Sequence, residues 1–125
     1  MCGSRIEGET HGYINSPGYP GNYPMDSDCE WTVEAPLGMR IQFDLHVLSI
    51  ESHEDCNHDY VEVWDHIWDH LRGRATSNHL LARFCDSTKP EPVMSSGHIA
   101  TVVFHSDHSV SDKGFHITWA AAPGE

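Results

Sequence analysis

Ile41-Gln42-Phe43-Asp44-Leu45-His46-Val47 alternates apolar and polar side chains without a break. A period of two sets Ile41, Phe43, Leu45 and Val47 on one face of a pleated strand and Gln42, Asp44 and His46 on the other. That is the pattern of a half-buried strand, here within 39–50. The same period returns at Val61 and Val63 and at Phe115, Ile117 and Trp119. Trp31 and Val33 mark a strand over 28–34, and Ile99 to Phe104 is a denser β-branched run. Ser16-Pro17-Gly18, Pro20-Gly21-Asn22, Pro36-Leu37-Gly38, Pro90-Glu91-Pro92 and Ser95-Ser96-Gly97 supply the turns between them. No window of about 11 residues or more carries a helical period. Short strands divided by turns describe an all-β chain, an antiparallel sandwich or barrel. Residues 66–79 show no pattern and are expected to form a long loop.

A chain of 125 residues corresponds to one domain. Its 38% hydrophobic content, with four each of Trp, Tyr and Phe, suffices for one core and rules against wholesale disorder. Seven Lys and Arg against nineteen Asp and Glu give a formal charge of −12, so phosphate backbones, anionic lipid and heparin-like glycans are repelled. Nucleic acid is therefore not an expected partner. Eleven histidines offset part of the charge at mildly acidic pH. No apolar run approaches the roughly 18 residues of a spanning helix, so insertion of this domain into a membrane is not expected. Met1 stands directly before Cys2 with no secretory signal, and the chain is expected to be a piece of a longer one. Compartment must then be read from the cysteines.

Cys2, Cys29, Cys56 and Cys85 are widely spaced, even in number and free of Cys-x-x-Cys pairs. In a small domain this reads as a disulfide framework in an extracellular protein rather than as a zinc or redox motif. Three connectivities are open at this point. Sequential pairing would close two loops of roughly 30 residues, each stabilising the fold by roughly 3–4 kcal/mol in the chain-entropy model.

If strands over 12–15, 28–34, 39–50, 59–65, 80–84, 92–95, 98–104 and 114–119 alternate in direction, loops 16–27, 51–58, 85–91 and 105–113 meet at one pole. Glu51 closes one strand, Asp59 opens the next, and Asp107 ends a third at the same pole. Converging carboxylates repel unless a cation or a basic partner neutralises them. Hard oxygen ligands suit Ca²⁺. Spacing alone leaves a second reading open, that these are ordinary solvated loop acids, and the linear EF-hand pattern is absent.

Gly12-Tyr13-Ile14-Asn15-Ser16-Pro17-Gly18-Tyr19-Pro20-Gly21-Asn22-Tyr23-Pro24 resembles the G-x-I-x-S-P-x-Y-P-x-x-Y-P opening of CUB domains. Cys29-Glu30-Trp31, Ala35-Pro36, Ile41-x-Phe43, Cys56-x-x-Asp59-Tyr60-Val61-Glu62-Val63 and Phe84-Cys85 follow in the family order. Ser95-Ser96-Gly97, Phe104-x-Ser106-Asp107 and Gly114-Phe115 complete it. The resemblance implies an antiparallel, jelly-roll-like sandwich of two sheets over residues 2–120, with a linker remnant at 121–125. It implies disulfides Cys2–Cys29 and Cys56–Cys85. It also implies calcium, because Glu51 lies eight residues before Asp59 and Asp107 fills the third ligand position of calcium-binding members. Ser109 matches a residue supplying a backbone carbonyl to the ion, and Tyr23 matches a tyrosine beside the site. His58 departs from the family, which has an aromatic residue there.

The implied function is an extracellular, calcium-dependent protein–protein interaction module of a mosaic protein. Its partner is an extracellular ligand or neighbouring domain presenting Lys or Arg to Tyr23, Glu51, Asp59 and Asp107. The alternative is a CUB domain without a working calcium site, acting as a spacer or as a glycan-binding domain of a receptor. No catalysis is expected of the chain itself. His53-Glu54-Asp55-Cys56-Asn57-His58 is similar to a zinc-protease H-E-x-x-H, but its histidines stand five residues apart instead of four. Helical presentation of both imidazoles fails at that spacing. His105 and His108 flank Asp107, a weaker candidate for zinc.

Overall fold

The computed structural model describes residues 2–124; Met1, and Glu125 of the expected linker, lie outside them. Among the described residues nine strands form, in the order β1 (Gly3–Glu7), β2 (His11–Asn15), β3 (Asp28–Glu34), β4 (Met39–Ser49), β5 (Tyr60–Asp69), β6 (Arg74–Phe84), β7 (Val93–Met94), β8 (Ile99–His105) and β9 (Gly114–Pro123). One sheet has the order β1-β3-β8-β5-β6 and the other β2-β9-β4-β7. Among the described residues every paired neighbour is antiparallel except β1, which runs parallel to β3. None of these residues is helical. The two-sheet sandwich expected from the sequence is present, and so are the disulfides Cys2–Cys29 and Cys56–Cys85.

The alternation of β4 works as read up to Leu45, with Ile41, Phe43 and Leu45 buried between the sheets. Each such side chain contributes roughly 1.5–3 kcal/mol on burial. A register shift against β9 between Leu45 and Val47 then changes the phase of the strand. Val47, expected inside, is only half-buried, and Leu48 and Ile50 take the inward places. Ile50 bridges to Asp86 and so fixes the point at which Glu51 leaves the sheet. An aromatic column climbs the core from Trp31 through Phe115 and Phe104 to Tyr23, with ring centroids 5.9, 5.2 and 5.1 Å apart in turn. Edge-to-face pairs of this kind add to the burial itself.

Residues 66–79, expected to be a long loop, instead complete a hairpin of β5 and β6. Only 70–73 turn: Asp69 Oδ1 accepts the N–H groups of Leu71 and Arg72, and Gly73 adopts the left-handed φ of 66°. The distal half of β6 is exposed on both faces, so nothing selects an apolar alternation there. Register shifts at Val63/Trp64 and Ile67/Trp68 scramble whatever period remains in β5. β1 was likewise not expected; of its residues only Ile6 is partly buried, and Cys2–Cys29 ties its start to β3. At the other terminus Ala121, Ala122 and Pro123, expected as linker, continue β9 opposite Ile41, Arg40 and Met39. The short β7 pairs antiparallel with β4, which keeps the direction count intact and leaves loop 106–113 beside loops 16–27 and 51–59.

Candidate metal centre

Tyr23 holds this pole together from below. Loop 16–27 is pinned by Tyr23 N donating to Asp112 O at 3.0 Å and Asp26 N donating to Asp107 O at 2.8 Å. Ser16 Oγ accepts the Phe115 N–H at 3.0 Å, and Gly114, at a φ of 90°, lies so close that a Cβ there would collide with Ser16. The family-like Ser16 and Gly114 therefore form one joint between loop and strand. The Tyr23 hydroxyl, only 2% of whose residue is exposed, donates to Asp59 Oδ2 at 2.6 Å and accepts the Glu51 N–H at 3.1 Å. Burial first, and then the bond to Asp59, push this phenol well above its ordinary range.

Asp59 is wholly buried; its second oxygen, Oδ1, accepts the Asp107 N–H at 2.8 Å. One carboxylate thus fixes a tyrosine on one loop and the backbone of another. Asp107 Oδ1 accepts the N–H of Ser109 at 3.1 Å and, more weakly, its hydroxyl at 3.4 Å. The Ser109 N–H is the first cause holding the Asp107 carboxyl below its ordinary range. Glu51 has a side chain 12% exposed, and its Oε1 is buried with no hydrogen-bond partner. A buried carboxylate oxygen left bare costs roughly 1–3 kcal/mol or more, so the site suits a cation that would satisfy it. The oxygen-rich set of Glu51, Asp59 and Asp107 fits calcium on that ground.

Glu51, Asp59, Asp107 and Tyr23 are brought together as a group, and Ser109 joins them through Asp107. Within it, however, the atoms that lie mutually within 4.8 Å belong to Glu51, His58 and Asp107, with Asp59 set behind. His58 is the departure from the family pattern that the sequence shows, and spacing alone gives it no ligating role. The signal available in the sequence was its place directly before Asp59. Its loop is stiffened by Cys56–Cys85 and by Arg83, which donates to Cys56 O, Asn57 Oδ1 and, at 2.6 Å, Glu62 Oε2. The ring of Tyr23 packs on Phe104 and offers no open face to a partner, which corrects that part of its expected role. It positions the carboxylates instead. His105, the weaker zinc candidate, turns to Asp28 at 2.7 Å.

A disulfide-linked sandwich with bare acidic groups at one end is the design of an extracellular binding module. The CUB domain model matches residues 2–119, and the chain belongs to that family. It is 40% identical to human cubilin over 124 residues, covering 99% of this chain and 3% of cubilin. The full extracellular region of zebrafish Gpr126/Adgrg6 superposes with a TM-score of 0.80 at 32% identity, over 98% of this chain and 15% of that one. The MASP-1 CUB2 domain, in a crystal structure bound to Ca²⁺, gives a TM-score of 0.78 at 26% identity, over 95% of this chain and 99% of that one. CUB domains are binding modules of secreted proteins and ectodomains, and this chain is extracellular in kind.

Proposed function

We propose that the chain is a calcium-dependent interaction module whose acidic pole captures a Lys or Arg of an extracellular protein or a neighbouring domain. The observation that carries this reading is the buried, unpartnered Glu51 Oε1 beside Asp59 and Asp107. Glu51, Asp59 and Asp107 would hold the ion, with Ser109 as the further candidate ligand. Calcium, when bound, supplies positive charge and ties three loops into one surface. Asp59 and Tyr23 hold the carboxylates in place beforehand, which lowers the entropic cost of binding. Three carboxylates outweigh a divalent ion, and an ammonium or guanidinium would bond to oxygens that the ion leaves free. The chain's formal charge of −12 favours approach of a basic partner.

Melting with calcium and with chelator tests the site. At ten times the dissociation constant, linkage adds about 1.4 kcal/mol, a rise of several degrees that Asp107→Ala should abolish. Equal melting temperatures in all four conditions would leave the spacer reading in its place. Capture is tested with an immobilised lysine-bearing peptide: retention in calcium, lost in chelator and weakened by salt, is expected. Retention of an otherwise identical norleucine peptide to the same extent would refute the basic-residue mechanism.

A further inference from the structure

We propose that this pole also accepts a divalent transition ion of the zinc class, through a mixed nitrogen–oxygen set of Glu51, His58 and Asp107. The inference rests on the pole being a cation site, and it assigns His58 a role that calcium chemistry does not use.

Glu51, His58 and Asp107 each offer one ligating atom, all within 4.8 Å of one another. Glu51 Oε2 and His58 Nδ1 are 3.5 Å apart. In a tetrahedral site with bonds of about 2.0–2.1 Å, neighbouring donors are about 3.3–3.4 Å apart, so this pair already stands at close to the required spacing. His58 Nδ1 and Glu51 Oε1 are both buried without a hydrogen-bond partner, although the imidazole's other edge is open to solvent. An ion between the two side chains would satisfy a nitrogen lone pair and a carboxylate at once.

The loop presents this imidazole in a fixed way. His53 packs against His58 with ring centroids 4.0 Å apart and the planes tilted by 37°. The Nδ1 of His53 is itself occupied, accepting the N–H groups of Asp55 at 3.2 Å and Asn57 at 3.3 Å. Asp59 lies outside the Glu51–His58–Asp107 cluster and, through the Asp107 N–H, orients Asp107 within it. Calcium takes six to eight hard oxygens, whereas imidazole with carboxylate is a donor set of zinc. Three protein ligands leave a fourth position for water. Because Glu51 and Asp107 serve both ions, the two must compete.

Titration calorimetry of the disulfide-intact protein with ZnCl₂, in the absence and presence of excess CaCl₂, tests this alongside melting in each ion. Wild type is expected to bind one zinc that calcium displaces. His58→Phe, which restores an aromatic ring, should keep the calcium-induced rise in melting temperature and lose zinc affinity by at least about tenfold. His58→Gln serves as a second variant should the ring mispack. His79→Gln, on the distal hairpin, should bind zinc as wild type does. Zinc affinity unchanged in His58→Phe and His58→Gln, or zinc binding indifferent to calcium, overturns the proposal while leaving the calcium reading standing. If neither ion raises the melting temperature, the cation site fails and both readings fall together.

Discussion

Tyr23→Phe removes one oxygen atom and nothing else from the floor of the pole. The ring keeps its packing on Phe104, so no cavity opens. Two groups lose their partners: Asp59 Oδ2, on a wholly buried residue, and the Glu51 N–H. Leaving a buried polar group unsatisfied costs about 1–3 kcal/mol, with charged groups towards the upper end. Asp59 retains the Asp107 N–H, which limits its share. The expected loss is about 3 kcal/mol, or about 12 °C of melting temperature for a domain of this size. Urea denaturation in chelator, with both disulfides intact, measures it, and the slope of free energy against urea should be unchanged. A loss below about 0.5 kcal/mol would mean that the hydroxyl does not organise the carboxylates, and the account of the site's floor would be wrong.

Gly114→Ala meets both a left-handed φ and the Ser16 side chain, and should destabilise by at least about 2 kcal/mol in the same assay; a neutral result would refute the loop–strand joint. Arg83→Met strips Glu62, a buried acid, of its cation but leaves it the Trp64 N–H; a loss of about 2 kcal/mol is expected, discounted because Arg83 is one-third exposed. Burial holds the His98 imidazole below the ordinary histidine range, so the unfolded chain takes up a proton there before the folded one does. Stability from this group is therefore present above about pH 6.5 and lost as pH falls below it, and His98→Gln should show a flatter melting profile between about pH 7 and 5 than wild type.

Much of the sandwich can be read directly because its strands bury one face. Ile41, Phe43 and Leu45, and Phe115, Ile117 and Trp119, alternate because the core demands it. The hairpin over 66–79 escapes for the opposite reason: the distal half of β6, exposed on both faces, is held by backbone hydrogen bonds, which leave no apolar period. The shift at His46 is equally silent, yet it decides that Ile50 is inside and that Glu51 sits at the rim. At the pole, Glu51, Asp59 and Asp107 are legible from spacing and family order. What spacing does not carry is depth: Tyr23 lies beneath the carboxylates, and His58 lies beside Glu51 in the place where an aromatic ring was the expectation.

The central claim is that the pole is a calcium site built from three loops. A calcium titration of the metal-free protein followed by backbone amide NMR tests it residue by residue. One saturable transition is predicted, with the largest shifts at the amides of Glu51, Asp59, Asp107 and Ser109 and none over the distal hairpin at 70–80. Its dissociation constant should fall in the range of about 10⁻⁴–10⁻³ M found for extracellular modules. Amides at the pole that stay still through millimolar calcium, or shifts scattered over the acidic surface without saturation, would contradict the account.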